Sequence, residues 1–305
     1  MTKIGGGYKV TWILLGCISL LLLTGPGHGA DNAPLKVYTV NYPLKYFAER
    51  IGGEHVEAIL PVPRDVDPAF WNPGIAEVNN YQRADLILLN GAGYAKWVQK
   101  VSLPRARVVD TSKNFKDRFI TGKEVLTHSH GAKGEHAHES LAFTTWLDFS
   151  LAARQAHAVA LALVRQKPAA KTEFETNFKA LLNDLEQLDQ QLLAAVSARP
   201  AKPLVMSHPV YDYLIARYKL NAVSLHWEPE EEPGAAQMSD LSHILKTHPA
   251  QWMIWEGEPL AASVDKLAEL GLSSRVFDPC GNEPGTGDFL SVMRQNINNL
   301  ATIFK

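Results

Sequence analysis

Cysteine is scarce in this sequence. The 305 residues include only two cysteines, Cys17 and Cys280, and Cys17 lies within an apolar N-terminal run. We expect that run to be removed from the mature chain, which would leave Cys280 as its single thiol. A disulfide framework is thereby excluded, and the fold must be stabilised by its hydrophobic core.

An excess of basic residues is also lacking. The sequence has 30 lysines and arginines against 32 acidic residues, a formal net charge of −2. Nucleic acid is therefore not an expected partner, because a surface that binds it needs clustered positive charge. The His-Glu-x-x-His, Gly-x-Ser-x-Gly, Walker and Gly-x-Gly-x-x-Gly motifs are all missing. We expect a binding protein rather than an enzyme.

Residues 1–30 have the pattern of a secretory signal peptide. Lys3 and Lys9 precede an apolar run over residues 10–23, and a small-residue segment ending at Ala30 follows. The run is short for a membrane span. We therefore favour cleavage near Ala30 and a periplasmic location over an uncleaved anchor or lipidation at Cys17. Losing two lysines (30 − 2 = 28) would leave 28 basic against 32 acidic residues, a net charge of −4.

Two successive sets of short apolar runs organise the rest of the chain. The first set covers residues 36–40, 56–60, 85–90 and 107–110, and the second covers 204–206, 222–225, 252–255 and 275–277. Such runs alternating with helical patterns are typical of parallel sheets flanked by helices. We predict an α/β fold of two lobes, at residues 31–148 and 200–305, with helices at 149–199 between them.

A long amphipathic segment lies between the two sets. Over residues 172–196, nine apolar residues recur at spacings that define one helical face. Pro168 can begin this helix and Pro200 can end it. At 1.5 Å per residue the helix would be roughly 40 Å long, enough to run along both lobes. The alternative is a coiled-coil dimer seam. A rigid helix joining the lobes also predicts small closure around a ligand.

Several motifs follow one another in an order that resembles the zinc- and manganese-type solute-binding proteins of ABC importers, the ZnuA/TroA-like family. They are Asp67-Pro68, Ala84-Asp85-Leu86-Ile87, Asn90-Gly91-Ala92-Gly93, a histidine-rich segment, Trp146-Leu147-Asp148, Ser207-His208-Pro209, Glu232-Pro233-Gly234-Ala235 and Asp278-Pro279. The resemblance implies two lobes, each with a small parallel sheet, joined by one long helix. It also implies a metal ion held in the cleft between the lobes and delivered to a membrane permease.

Two of the family's four usual metal-ligand positions are matched in this chain. By resemblance, His208 corresponds to the third ligand and Asp278 to the fourth. The family's Asp-Pro-His reads Asp67-Pro68-Ala69 here, and its His-x-Trp-Leu-Asp-Pro begins with Thr144. A methyl group cannot coordinate a metal, and a neutral hydroxyl is a poor ligand for zinc, which requires four donors at about 2.0–2.3 Å. Other residues must complete the site, or the cleft binds something other than a bare ion.

The histidine-rich loop at residues 127–139 is one source of further donors. It contains four histidines and two glutamates in thirteen residues. His-x-His spacing places two imidazoles on the same side of an extended chain, which suits metal capture. The alternative is a solvated polar loop that binds no defined ion. The histidines are His128, His130, His136 and His138.

Other candidate donors follow the strands of the second set. Glu256 directly follows the run at 252–255 and is a further candidate ligand, whereas Cys280 is expected to be a buried, unreactive thiol. Residues 228–232 are interpreted as a solvated acidic rim. Trp71, Trp146 and Trp227 are expected to pack between the lobes, although they could instead enclose a chelated metal or an organic ligand.

The sequence thus predicts a monomeric metal-binding protein that supplies an ABC importer permease. Imidazole donors favour zinc over manganese, which prefers oxygen ligands. Two alternatives remain open: a diverged relative that binds a chelated metal or another ligand, and a metal buffer or chaperone that uses the histidine loop.

Overall fold

Both predicted sets of strands form parallel four-stranded sheets. The computed structural model describes residues 33–127 and 137–305, and only the backbone of residues 122–127 and 137–140. The first sheet has the strand order β2-β1-β3-β4. Its strands are β1 (Leu35–Thr39), β2 (Val56–Ile59), β3 (Leu86–Leu89) and β4 (Val108–Asp110). The apolar side chains of β3 are largely buried, as expected for a strand covered on both faces.

The second sheet repeats the topology of the first. Between the sheets, β5 (Thr121–Thr127) and β6 (Ala137–Leu141) form a separate antiparallel pair. The second sheet has the order β10-β9-β7-β8. Its strands are β7 (Pro203–Met206), β8 (Asn221–Ser224), β9 (Trp252–Trp255) and β10 (Ser273–Val276). In both sheets the first strand along the chain lies between the second and the third.

Helices connect these strands and cover the two sheets. Asp148 caps the helix that follows the first lobe: its carboxylate accepts hydrogen bonds from the amides of Ser150 (2.9 Å) and Leu151 (3.3 Å). The described α-helices are α1 (Tyr42–Gly52), α2 (Ile75–Arg83), α3 (Phe149–Gln166), α4 (Lys171–Ser197), α5 (Asp212–Tyr218), α6 (Ala235–Thr247), α7 (Ala261–Glu269) and α8 (Phe289–Ile303).

Helix α4 is the predicted long helix and belongs to both lobes. Its apolar face packs against α1, α3 and α8, and its buried residues are Phe174, Leu181, Leu185, Leu188, Leu192 and Val196. The side chain of Arg50 on α1 donates to Asp184 (2.8 Å), and that of Arg217 on α5 donates to Asp189 (3.0 Å). The coiled-coil interpretation is wrong, because helices of the same chain already cover this face.

The larger hydrophobic core runs through both lobes, and a smaller one lies beneath the second sheet. Trp227 belongs to the smaller core, where its ring lies 6.3 Å from that of Trp255. Trp71 packs edge-on against Trp97 in the first lobe at 6.2 Å. These two rings therefore fill lobe interiors rather than the space between the lobes. None of the described helices is long and apolar enough to cross a membrane.

Candidate metal centre

Beyond the carboxyl end of each strand of the second sheet there is a polar residue that could bind a metal. His208 comes two residues after β7, Glu228 follows β8, Glu256 directly follows β9, and Asp278 comes two residues after β10. The strands are parallel, so their carboxyl ends meet at one edge, where open α/β sheets bind ligands. The second sheet therefore brings four candidate donors to a single edge.

Backbone hydrogen bonds beyond the strand ends hold these residues in place. The amide of Ser207 donates to the carbonyl of Ile254 (2.8 Å), which aligns the segment bearing His208 with β9. The amide of Trp227 donates to the carbonyl of Ser207 (2.8 Å). The residue after Trp227 is Glu228, so this second bond brings its carboxylate next to the His208 imidazole.

His208, Glu228 and Glu256 form a compact cluster. The Nε2 atom of His208 lies 3.4 Å from Oε1 of Glu228, and its Nδ1 atom lies 3.8 Å from Oε1 of Glu256. One ligand atom from each residue can be chosen so that all three lie within 4.8 Å of one another. Ligands of a tetrahedral zinc ion at 2.1 Å are roughly 3.4 Å apart. The three side chains are thus almost at the separation that one metal ion requires.

Burial and neighbouring negative charges disfavour the ionised forms of the Glu256 and Glu228 carboxyl groups. Burial raises the pKa of Glu256 to about 8, with further increases from the charges of Glu228, Asp67, Glu230 and Asp278. The pKa of Glu228 is raised first by burial and then by its acidic neighbours. Carboxylates crowded in this way carry a repulsion that a bound divalent cation would relieve.

Asp278 lines a cavity between the lobes that Glu228 and Glu256 also line, but it is not one of the three clustered ligand groups. Its Oδ1 atom accepts a hydrogen bond from the amide of Cys280 (2.6 Å). Its backbone is held by Asn296, which accepts from the Asp278 amide (3.0 Å) and donates to its carbonyl (2.7 Å). Burial raises the pKa of Asp278. The pairing of His208 with Asp278 stays a prediction, and the carboxylates found within 4 Å of His208 are those of Glu228 and Glu256.

The first lobe presents no histidine at the two positions where the family places one. Ala69 is buried and its amide donates to Oδ1 of Asp67 (2.8 Å). Thr144 is buried and its hydroxyl donates to the carbonyl of Val210 (2.5 Å). The Thr144 hydroxyl is thus engaged with the second lobe. Asp67 lines the cavity on the side of the first lobe.

The cavity between the lobes has a volume of about 640 Å³ and is lined by both polar and aromatic residues. Trp146 forms part of its wall, and the indole Nε1 donates to the carbonyl of Pro279 (2.7 Å). This hydrogen bond joins the lobes, so the prediction that Trp146 packs between them is confirmed. Cys280 is buried, as predicted, and burial raises the pKa of its thiol.

From the sequence, Glu228 was assigned to an acidic rim and Asp67 to a family motif, and neither was predicted to be a metal donor. Glu230, Glu231 and Glu232 are exposed, as an acidic rim requires, and the Glu228 side chain is itself about half exposed (51%). Its position after β8 was the available signal, because the other strands of that set are also followed by a candidate donor. Of the histidine loop, His128, His130 and His136 lie outside the described residues, and only the backbone of His138, in β6, is described.

The two lobes repeat one parallel topology and share a long helix, and polar residues at the strand ends face the cleft between them. These features define a solute-binding protein. The family described as "Zinc-uptake complex component A periplasmic" (ZnuA) has a model that matches residues 37–303, and the chain belongs to this family. It is a family of binding proteins, so the expectation that the chain is not an enzyme is confirmed.

Known relatives are similar along most of the chain. The high-affinity zinc uptake system protein ZnuA of Bacillus subtilis is 26% identical over 313 residues, which cover 95% of each protein. The zinc-binding lipoprotein AdcA of Streptococcus pneumoniae is 24% identical over 303 residues, which cover 96% of this chain and 60% of AdcA. This chain thus spans about 60% of the length of AdcA.

Solved structures confirm the predicted fold. The metal-dependent lipoprotein YcdH from Bacillus subtilis superposes with a TM-score of 0.76 at 23% identity, covering 88% of this chain and 98% of that one. Zn(II)-bound AdcA from Streptococcus pneumoniae gives a TM-score of 0.73 at 22% identity, covering 88% of this chain and 57% of that one. The two sheets and the long helix are therefore those of the TroA-like fold.

Proposed function

We propose that this protein captures a divalent metal ion, zinc, in the cleft between its lobes for delivery to an ABC importer. The observation that carries the proposal is the cluster of His208, Glu228 and Glu256, whose ligand atoms lie within 4.8 Å of one another. Asp278 lines the same cavity and is available as a further oxygen donor.

The donor set supports zinc as the ion. One imidazole and two carboxylates match the ligand types that zinc binds, and zinc sites with three protein ligands keep a fourth position open. Manganese is the competing ion, because it favours carboxylate and water oxygens. Relatives named for zinc uptake and zinc binding favour zinc over manganese.

Delivery to a permease and a periplasmic location belong to the same proposal. They are supported by the family's description as a periplasmic component of a zinc-uptake complex and by the signal-peptide pattern of residues 1–30. We also propose that the protein acts as a monomer, because the apolar face of α4 is covered within the chain.

The size of the cleft favours one alternative ligand. About 640 Å³ is far more than a bare ion fills, and it falls within the range of about 300–1,000 Å³ that is usual for small-molecule sites. A metal carried by a small chelator would use this space. Stoichiometric uptake of zinc by metal-free protein without any chelator would exclude that alternative.

The test is a calorimetric titration of metal-free protein with zinc. We expect one ion per chain, and we expect His208→Ala and Glu256→Gln each to weaken binding by at least about tenfold. His243→Ala, which removes an exposed histidine on α6, serves as the matched control. A chain lacking residues 128–136 should keep the cleft ion. If the cleft variants bind normally and the deletion alone abolishes binding, the histidine loop is the metal site and the proposal fails.

A further inference from the structure

The proposed site is one-sided, and this raises the question of what the first lobe contributes. His208, Glu228 and Glu256 all come from the second sheet's edge. The first lobe presents a methyl group at Ala69 and a hydroxyl already bonded to Val210 at Thr144. Three donors leave one position of a tetrahedral zinc ion open, for which Asp278 of the second lobe and a carboxylate of the first lobe compete. This inference rests on the proposed function and concerns that fourth position.

Asp67 is one of two carboxylates, with Asp65, that a loop of the first lobe brings to the cavity. Its Oδ1 atom accepts from the Ala69 amide (2.8 Å), and within residues 33–127 and 137–305 its carboxylate accepts no other hydrogen bond. Oδ2 therefore remains available to a ligand. Desolvation at the cavity wall raises the pKa of Asp67, although the residue keeps an exposed part, and electrostatic interactions with His208 and Glu228 act on the same carboxylate. Asp67 thus lies within electrostatic reach of the proposed cluster.

The loop that carries Asp67 is held by a residue of the other lobe. The side-chain amide of Asn282 donates to the carbonyls of Pro63 (2.7 Å) and Val66 (2.9 Å), and Val66 is the residue before Asp67. The other end of that amide, Oδ1, accepts from the backbone of Glu283 (2.8 Å). Asn282 therefore fixes the loop from the opposite side of the cleft.

The segment of residues 279–283, here called the strap, makes further bonds to the first lobe. The carbonyl of Pro279 accepts from the Trp146 indole (2.7 Å), and the carbonyl of Gly281 accepts from the amide of Tyr42 (2.9 Å). The strap begins directly after Asp278. It therefore links a cavity-lining carboxylate of the second lobe to the loop that bears Asp67.

We propose that Asp67 supplies the first lobe's metal ligand in this protein, in place of the absent histidines, and that Asn282 positions it. The carboxylate reaches the ion through Oδ2 while Oδ1 keeps its bond to Ala69. The site is then a His208, Glu228, Glu256 and Asp67 set that spans the cleft, with Asn282 acting through the loop and not touching the ion.

The test compares Asp67→Asn with Asp65→Asn in zinc titrations of the full chain. Asp65 lines the cavity from the same loop, so its variant removes an equal charge without removing a proposed ligand. Asn at position 67 keeps an oxygen for the Ala69 amide, and the loop should fold. We expect Asp67→Asn to weaken zinc binding at least about tenfold more than Asp65→Asn does. We also expect the Co²⁺ absorption spectrum to change only in Asp67→Asn.

The role of Asn282 is tested by combining variants. Asn282→Ala should weaken zinc binding by about tenfold, and it should cause no further loss in a chain that already carries Asp67→Asn, because both act through one ligand. Asn72→Ala, in which a side-chain bond to Phe70 is lost from a neighbouring part of the loop, is the control. Melting temperatures of the metal-free variants show whether each is folded.

The outcomes separate this inference from the proposed function. If Asp67→Asn and Asp65→Asn bind zinc equally and give the same cobalt spectrum, Asp67 is not a ligand and the inference is overturned. If Asn282→Ala weakens binding equally with and without Asp67→Asn, Asn282 does not act through Asp67. If the unaltered protein binds no zinc, or binds it without His208 and Glu256, the proposed function itself fails.

Discussion

At the scale of single residues, Glu256 is the group whose protonation should govern metal uptake. Its side chain is only 21% exposed, and its pKa is raised to about 8, first by burial and then by neighbouring carboxylates. At pH 7 the metal-free protein therefore holds a proton on Glu256. A metal ligand must be deprotonated, so the ion has to displace that proton.

We predict that zinc affinity falls as the pH falls below about 8. The sign follows from competition: below the raised pKa the proton occupies the carboxylate, and above it no proton remains to be displaced. One displaced proton corresponds to a change of about tenfold in affinity per pH unit. Calorimetry in buffers of different ionisation enthalpy should detect about one proton released by Glu256 at pH 7 and almost none at pH 9.5.

Glu256→Gln is the matched control for this pH dependence. Glutamine keeps the size of the side chain but has no titrating proton, so the difference in pH slope between the two proteins isolates Glu256 from the other carboxyl groups. Equal slopes and equal proton release in the two proteins would show that Glu256 does not take part.

The site was only partly predictable at this scale. His208 and Asp278 stand in recognisable motifs, and Glu256 directly follows an apolar run, so each could be located from the sequence. The position of Glu228 after an apolar run was a signal of the same kind, but its approach to His208 depends on the hydrogen bond from the Trp227 amide to the Ser207 carbonyl. The place of Asp67 depends on how Asn282 of the other lobe holds its loop, a long-range contact that no local pattern encodes.

At the scale of elements, apolar runs located all eight strands of the two sheets, and their ends were less certain. The predicted strand at residues 275–277 is β10, Ser273–Val276, because pairing with β9 begins at Ser273. Helix α5 begins at Asp212, after a 3-10 turn at Pro209–Tyr211 that no apolar run marks. Proline fixes the backbone at such starts. No pattern of individual residues predicted that the two sheets would have the same strand order.

The apolar face of α4 yields a stability prediction with an internal control. Leu185 is fully buried and Leu193, on the same helix, is 40% exposed. We expect Leu185→Ala to lower the free energy of unfolding by about 2–5 kcal/mol, because it removes packed methyl groups and leaves a cavity. Leu193→Ala should cost less than about 0.5 kcal/mol.

Urea unfolding of the two metal-free variants measures this difference. Both changes replace leucine by alanine in one helix, so helix propensity is the same and only burial differs. Similar losses in the two variants would mean that α4 is not packed between α1, α3 and α8 in solution, and the coiled-coil alternative would have to be reconsidered.

At the scale of the whole molecule, the two lobes share a strand order but have separate tasks. The second sheet carries His208, Glu228 and Glu256 at its strand ends, whereas the first lobe contributes a wall and the loop of Asp67. The lobes are joined by α4 and by the strap. A cleft joined at both places cannot open widely unless the hydrogen bonds of the strap break.

We therefore predict that zinc binding changes the relative position of the lobes very little. Small-angle X-ray scattering of metal-free and zinc-loaded protein should give radii of gyration that agree within error, while the melting temperature rises because the ion binds only the folded chain. Trp146→Phe removes the indole donor to Pro279 but keeps an aromatic ring in place. If the strap limits opening, only this variant should become more compact when zinc is added. A clear contraction of the unaltered protein would show that the lobes close on the ion as a hinge, with neither α4 nor the strap restraining them.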